Sequence, residues 1–424
     1  MDGTIRKERG QALVLIILAI VGMMGFAALA VDVGRVYAER RRAQNAADAA
    51  VMAWAFNSAW AQDPDPQHAL NSLARNDFVT VPGRTRIMLN HPPANGPYAG
   101  DSEYFQVVLE STVDQIFGQF VSPGPYNLTV EAVGRAVPTQ AVSPGQAMLA
   151  MGQNVCPGIV FNGGANTAVY GGNIYSNSNG NGPGSCYSGV TTGSSGSINV
   201  TGGDVLIAGG WNNTGGAYVN PPAQSGVGHL DIPSVPVPVC PSTTVRTPDT
   251  TNKRLYPGVY NSAVTINSGD WVMEPGMYCF HADVTINGNG SLTGRDVMIV
   301  MYDGSLDLGG GADVYLKRPN DIVDGASPAP NHFGGMLIYM PMDNDGGIDI
   351  SGNNGSAYLG TIYAPGPRNP SSKEKCNIGG TGNSIGLSSN VMCHTIGIAG
   401  NSSVTINYRE EENYRNPPTV ELSQ

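Results

Sequence analysis

The residues with chemistry to offer are acidic and lie among glycines. Met342-Asp343-Asn344-Asp345-Gly346-Gly347-Ile348-Asp349 sets three carboxylates, Asp343, Asp345 and Asp349, at alternating positions of a turn-forming segment. Oxygen donors at such spacing can collect around Ca2+, a hard cation that takes many of them. The segment lacks the terminal bidentate Glu of an EF-hand loop, and a solvated turn explains the same residues. Leu308-Gly309-Gly310-Gly311-Ala312-Asp313 is one imperfect copy of the glycine–aspartate repeat that binds Ca2+ in β-rolls. A second chemistry open to aspartates is polysaccharide cleavage, which needs paired carboxylates on one face. Asp303, Asp307 and Asp313 are its candidates, with ordinary acidic surface as the competing explanation. The six histidines are scattered, and neither an H-E-x-x-H pair nor a phosphate-cradling G-x-x-x-x-G-K-[ST] loop occurs. No residue is named as catalytic, and no cofactor is expected beyond the Ca2+ candidate.

The six cysteines are Cys156, Cys186, Cys240, Cys279, Cys376 and Cys393, and no two form a C-x-x-C pair. Three disulfides are the economical reading, and sequential pairing (156–186, 240–279, 376–393) is one of several connectivities. Buried reduced thiols in a cytosolic protein are the alternative. A zinc site built on Cys279 with His281, or Cys393 with His394, lacks a second half-site. Disulfides persist in oxidising compartments, which puts the large cysteine-bearing region outside the cytoplasm and the short N-terminus inside.

The element that would position all this relative to a membrane stands at the start. Arg6-Lys7-Glu8-Arg9-Gly10 precedes an uncharged run from Ala12 to Val31. At about 1.5 Å rise per residue, that run can cross a hydrocarbon core of roughly 30 Å. No second run of that kind appears, so one spanning helix is expected, with the bulk of the chain beyond it. Ala28-Leu29-Ala30 would serve as a signal-peptide cleavage site. Against cleavage, the run is longer than a usual signal-peptide core, and the chain continues as helix. Basic residues flank both ends (Arg6, Lys7, Arg9; Arg35, Arg40, Arg41, Arg42), so charge alone does not orient the span.

Glu8-Arg9-Gly10-Gln11-Ala12 before the apolar run, Ala30-Val31-Asp32-Val33-Gly34-Arg35 after it, and Gln44-Asn45-Ala46-Ala47-Asp48-Ala49-Ala50 beyond form a combined pattern. It resembles the N-terminal segment of TadE/TadG-like Flp (tight adherence) pilus-assembly proteins, closely as far as about Trp60 and loosely to about Val137. The resemblance implies a single-pass envelope protein acting in tight-adherence pilus assembly or surface attachment. Its implied partners are the membrane and other pilus-assembly or envelope proteins. Prepilin-type cutting after Gly10 would place Leu15 where pilins carry a Glu, so the resemblance points to an anchored accessory protein rather than a processed subunit.

Composition bounds the remainder. Charged residues are 13% of the chain, Gly is 57 of 424, and net charge is −11. Residues 1–61 hold seven Lys/Arg against five Asp/Glu, so the acidic excess lies wholly beyond them. Such a surface repels phosphate backbones, and nucleic-acid binding is not expected. Glycine at this level without a triplet repeat fits turn-dense β structure.

The expected organisation is a cytoplasmic N-terminus (1–10), a transmembrane helix continuing as an extracytoplasmic helix (11–61), a small α+β region (62–145), an all-β region (146–410) and a C-terminal tail (411–424). Beyond the membrane, Val36, Ala43, Ala47, Ala50 and Trp54 recur at helical steps, marking a packed stripe. Runs at Thr85–Leu89, Tyr104–Leu109 and Leu128–Val137 alternate as strands, giving a pilin-like helix and small sheet in outline.

In the third region short runs such as Ala263-Val264-Thr265-Ile266-Asn267, Asp283-Val284-Thr285-Ile286-Asn287, Tyr358 to Tyr363 and Ser403 to Asn407 alternate with Gly/Asn turns. V-T-I-N occurs three times. Stacked coils of a right-handed β-helix-like solenoid are expected, with a β-sandwich as the alternative. The insert at 220–260, with eight prolines, reads as an extended excursion over the surface, tied down by Cys240 and Cys279. Leu359-Gly360-Thr361-Ile362-Tyr363-Ala364-Pro365 and Ile396 to Tyr408 are similar to β-helical domains of pilus-tip and envelope-anchored proteins, which makes surface glycans a further partner class.

Overall fold

The computed structural model describes residues 9–61, 64–120, 124–164, 166–180, 188–193, 195–327, 330–351, 355–369, 374–380, 385–388, 390–400 and 403–423. The chain divides into two compact units, one of residues 1–140 with 418–424 and one of residues 141–417.

The first unit is built on one long helix, α1 (Arg9–Ala61). No proline interrupts its 53 residues, and at ~1.5 Å each they extend roughly 80 Å. The apolar stretch beginning at Val14 is exposed almost throughout, with Leu15, Met24 and Phe26 at 66%, 68% and 77%. Among the described residues, this is the one helix long and apolar enough to cross a membrane.

The second half of α1 behaves oppositely. Ala43, Ala46, Ala47, Ala50, Val51, Trp54, Ala55 and Ala59 are buried, so the expected stripe is realised, with Val36 packed at its margin. They meet α2 (Gln67–Arg75) and the inward residues of an antiparallel sheet formed by β1 (Thr85–Asn90), β2 (Tyr104–Val113) and β3 (Tyr126–Val137). Phe105, Val107 and Leu109 of β2, and Leu128, Val130 and Ala132 of β3, point to the helix at the two-residue period of a strand. Alanines on the helix face let the backbone approach the sheet. Trp54 fills the far end, its Nε1–H donating to the Pro64 carbonyl at 2.7 Å and its ring lying edge-on to Phe105 at 4.9 Å.

Residues 411–424, expected to form a tail, instead contain a strand. Thr419–Ser423 pairs antiparallel with β3, from Thr419 opposite Val137 to Ser423 opposite Val133.

In the second unit the strands pair in parallel, as an antiparallel sandwich would not. One sheet runs, in spatial order, through Gln224–Ser225, Val205–Ile207, Asn173–Ser176, Gln146–Ala150, Val391–Cys393, Thr361–Ala364, Met336–Tyr339, Val297–Asp303, Gly276–His281 and Gly258–Tyr260. The chain therefore enters in the middle, at Gln146–Ala150, and steps to one edge. It reappears at the opposite edge and returns strand by strand until Val391–Cys393 lies beside the entry strand. The other parallel sheet shows the same order: Ser403–Asn407, the last strand of the unit's parallel sheets, pairs with Asn166–Tyr170, one of the first. The V-T-I-N repeats at 264 and 284 stack in register, Val264 on Val284, Thr265 on Thr285 and Ile266 on Ile286. The Val and Ile of each are buried in one continuous core, while the Thr between them faces outward.

The expected strand Tyr358–Tyr363 is two strands, Ala357–Leu359 and Thr361–Ala364, which join different sheets. Gly360 between them has φ +130, a conformation that side chains disfavour, and it turns the corner.

The proline-rich segment closes the gap in strand order by crossing the outer face of the ten-stranded sheet. Tyr175 donates its hydroxyl to the Gly228 carbonyl, Asn177 pairs with both backbone groups of Leu230, and Tyr302 donates to the Pro238 carbonyl. Asp324 accepts from Val239 N–H at 3.0 Å, Cys240 is bridged to Cys279, and Arg246 N–H donates to the Val259 carbonyl. A segment with few ladder partners is well served by proline, which has no N–H to leave unsatisfied. Val235 of this segment packs into a second apolar layer with Leu149, Tyr175, Met298, Phe333, Tyr339, Tyr363 and Met392.

Candidate functional site at the helix exit

The apolar run of α1 ends at Val31, and the next residue carries the one acidic side chain in this part of the helix. Asp32 is only 2% exposed. One carboxylate oxygen accepts from the Ile116 N–H at 3.0 Å, and the other accepts from Phe117 N–H at 3.0 Å and Gly118 N–H at 2.6 Å. Three successive backbone donors converging on one carboxylate form an anion-binding turn, occupied by a residue of the chain itself. One helical turn on, Arg35 donates to the Asp114 carbonyl at 3.0 Å, and Arg84 pairs with the Asp114 side chain at 3.0 Å. The Asp32 and Arg35 of the V-D-x-G-R step therefore hold the 114–118 loop, which links β2 to β3, against the helix. The sequence marks this step as a pattern but assigns it no contact, because its partners lie far along the chain.

Of the three aspartates offered to Ca2+, Asp349 engages a cation of the chain itself. Asp349 receives a two-pronged guanidinium bond from Arg368, at 2.9 and 2.7 Å, and a third bond from Asn377 Nδ2 at 2.7 Å. A Cβ at Gly347 would meet the Arg368 guanidinium, so glycine leaves room for this pair. The buried Lys375 ammonium donates to the carbonyls of Asn344 at 2.6 Å, Gly346 at 2.7 Å and Pro367 at 3.3 Å. Asp343 and Asp345 are not drawn into this cluster as ligands: Asp343 is exposed, and Asp345 accepts from the Asn369 side chain at 3.4 Å. Among the described residues no group of three or more His, Cys, Asp or Glu is arranged to hold a metal. Arg368 thus occupies the Asp349 carboxylate, and Lys375 occupies the Asn344 and Gly346 carbonyls. No sequence signal marks Lys375 as their partner.

The three aspartates considered for glycan cleavage do not share a strand. Asp303 ends a strand of the ten-stranded sheet beside His281, at 3.3 Å. Asp307 lies in register with Thr285 and Asp349, and Asp313 with Ser291, on two other strands. Disulfides join Cys240 to Cys279 and Cys376 to Cys393. Those pairings remove Cys279 and Cys393 from any zinc site. Cys156 is disulfide-bonded as well, while Cys186 lies outside the described residues. His394 packs inside, its Nδ1–H donating to the Pro365 carbonyl at 3.0 Å, and burial holds its pKa below the ordinary value.

Both clusters can be tested through stability. Replacing Asp32 by Ala removes the acceptor of three N–H groups, a loss of about 1–3 kcal/mol local to the loop. Amide exchange of residues 114–120 in the full chain should accelerate about five-fold or more, and unchanged exchange would remove Asp32 as the clamp. Burial lowers the Lys375 pKa from 10.5 to about 8. Between those values the unfolded chain binds the extra proton, so stability rises with pH across that window. Lys375→Met should abolish that rise in denaturant midpoints, whereas an unaltered slope would assign it to another group.

No curated protein matches this chain, and no solved structure matches it. Residues 10–55 match the Tad family model, described as "Putative Flp pilus-assembly TadE/G-like". That stretch contains the apolar run, the Asp32–Arg35 clamp and the alanine face that packs on the sheet.

Proposed function

We propose that this is a single-pass envelope protein, anchored by the apolar half of α1 with its N-terminus in the cytoplasm and its bulk outside, that acts in tight-adherence pilus assembly or surface attachment. The observation that carries this reading is the coincidence of the family match at 10–55 with the exposed apolar helix and its packed continuation. The disulfides Cys240–Cys279 and Cys376–Cys393 support an oxidising, extracytoplasmic setting for the second unit.

The parallel ladders of that unit are read as coils of a β-solenoid. In-register stacking of Val264-Thr265-Ile266 on Val284-Thr285-Ile286, and the splitting of Val284–Gly294 between Leu306–Leu308 and Asp313–Lys317, support coils that turn through several faces. Its role is a rigid surface presented to other envelope proteins or to surface glycans. A catalytic role is not part of this reading.

Entry and exit strands of the second unit are neighbours, so residues 141–417 can be replaced by a short flexible linker. A strain with this replacement should retain filaments and lose surface attachment, measured by electron microscopy and an adhesion assay. A strain lacking the whole gene with normal filaments and normal attachment would overturn the proposal.

A further inference from the structure

The loop that Asp32 holds carries two apolar side chains that the fold leaves bare. Ile116 and Phe117 are 43% and 44% exposed, although their own backbone N–H groups are pinned to a buried carboxylate. The pinning sets their height along α1, level with the first residue past the apolar run. Val33 and Tyr37, 55% and 64% exposed, continue the apolar surface on the helix just above. Around this collar stand cations. Arg35 lies on α1 with Arg40 and Arg41 more than a helical turn further on, and Arg84 and Arg86, which meet Asp114 at 3.0 Å and Glu110 at 3.8 Å, line a cavity of about 580 Å³ at the sheet end from which the loop departs. Apolar tips at the end of the apolar run, with arginines on the helix turns beyond, match the chemistry of a bilayer interface, where acyl chains give way to phosphates.

We propose that residues 114–118 form a second, peripheral membrane contact. Ile116 and Phe117 insert into the headgroup–acyl boundary of an anionic phospholipid leaflet, and Arg35, Arg40 and Arg41 of α1 engage lipid phosphates. The contact holds the first unit against the bilayer at a fixed height and restrains its swivel about the helix. This inference rests on the reading that the apolar run of α1 spans a membrane.

The test uses the full chain in nanodiscs of phosphatidylethanolamine and phosphatidylglycerol, with single nitroxide labels introduced at Phe117→Cys, Gln119→Cys, Phe26→Cys or Tyr218→Cys. Gln119 keeps both apolar tips intact, Phe26 reports the run itself, and Tyr218 is an exposed control in the second unit. Collision with a water-soluble nickel chelate and with oxygen gives the depth of each label. Labels at 117 and 119 should be several-fold less accessible to nickel than the label at 218. Nickel accessibility at 117 and 119 equal to that at 218, with 26 shielded, overturns the peripheral contact alone. Full nickel accessibility at 26 overturns the spanning reading and this inference with it.

Discussion

One carboxylate at the end of an apolar helix fixes where the folded part of this protein begins. Asp32 cannot lie in hydrocarbon without great cost, and it is satisfied by three N–H groups of a loop that belongs to the sheet. Helix and sheet are therefore joined at the point where the apolar run stops, and the alanine face of α1 from Ala43 to Ala59 completes the joint over roughly four to five turns. With no proline or loop between run and packed half, a rotation of one is a rotation of the other. A flexible tether would have decoupled them, whereas a continuous helix carries the orientation of the apolar run into the folded unit.

The β unit is set into this frame as an insertion. Its chain enters in the middle of a parallel stack and leaves beside the point of entry, which allows the final strand Thr419–Ser423 to return to β3. That route needs a long crossing from one edge of the ten-stranded sheet to the other, and the proline-rich segment supplies it. Doing so, it covers an apolar outer face that would otherwise be exposed, and the Cys240–Cys279 bridge fastens its far end. The edge strands are short, Gln224–Ser225 and Gly258–Tyr260, which limits open edge available for unwanted pairing. The acidic turn near Asp345 is closed by Lys375, which binds its carbonyls, and by Arg368, which pairs with Asp349.

Local periodicity makes much of this legible in the sequence. Alanines at helical steps announce the packed face of α1, and the two-residue alternation of β2 and β3 announces the sheet. The V-T-I-N copies at 264 and 284 stack as their repetition implies. What the sequence conceals is long-range. Nothing local links Met148 to Val391, which pair although they stand far apart in the chain, and so the mid-stack entry is invisible. The strand at Thr419–Ser423 looks like a tail because a lone edge strand carries a weak pattern. The partners of Asp32 and of Lys375 are backbone groups, which have no sequence signature at all. The single expected strand at 358–363 fails for a local reason, the corner at Gly360.

The central claim is that the apolar run is kept as an anchor and is continuous with the folded unit. The most direct measurement is mass spectrometry of the N-terminal peptides of the mature protein isolated from native membranes. The account predicts that peptides containing the run from Ala12 to Val31 remain part of the membrane-bound chain. A mature chain beginning at Val31 would contradict it, because the helix would then be a discarded signal; a start at Gln11 would keep the run but mark a processed, pilin-like subunit.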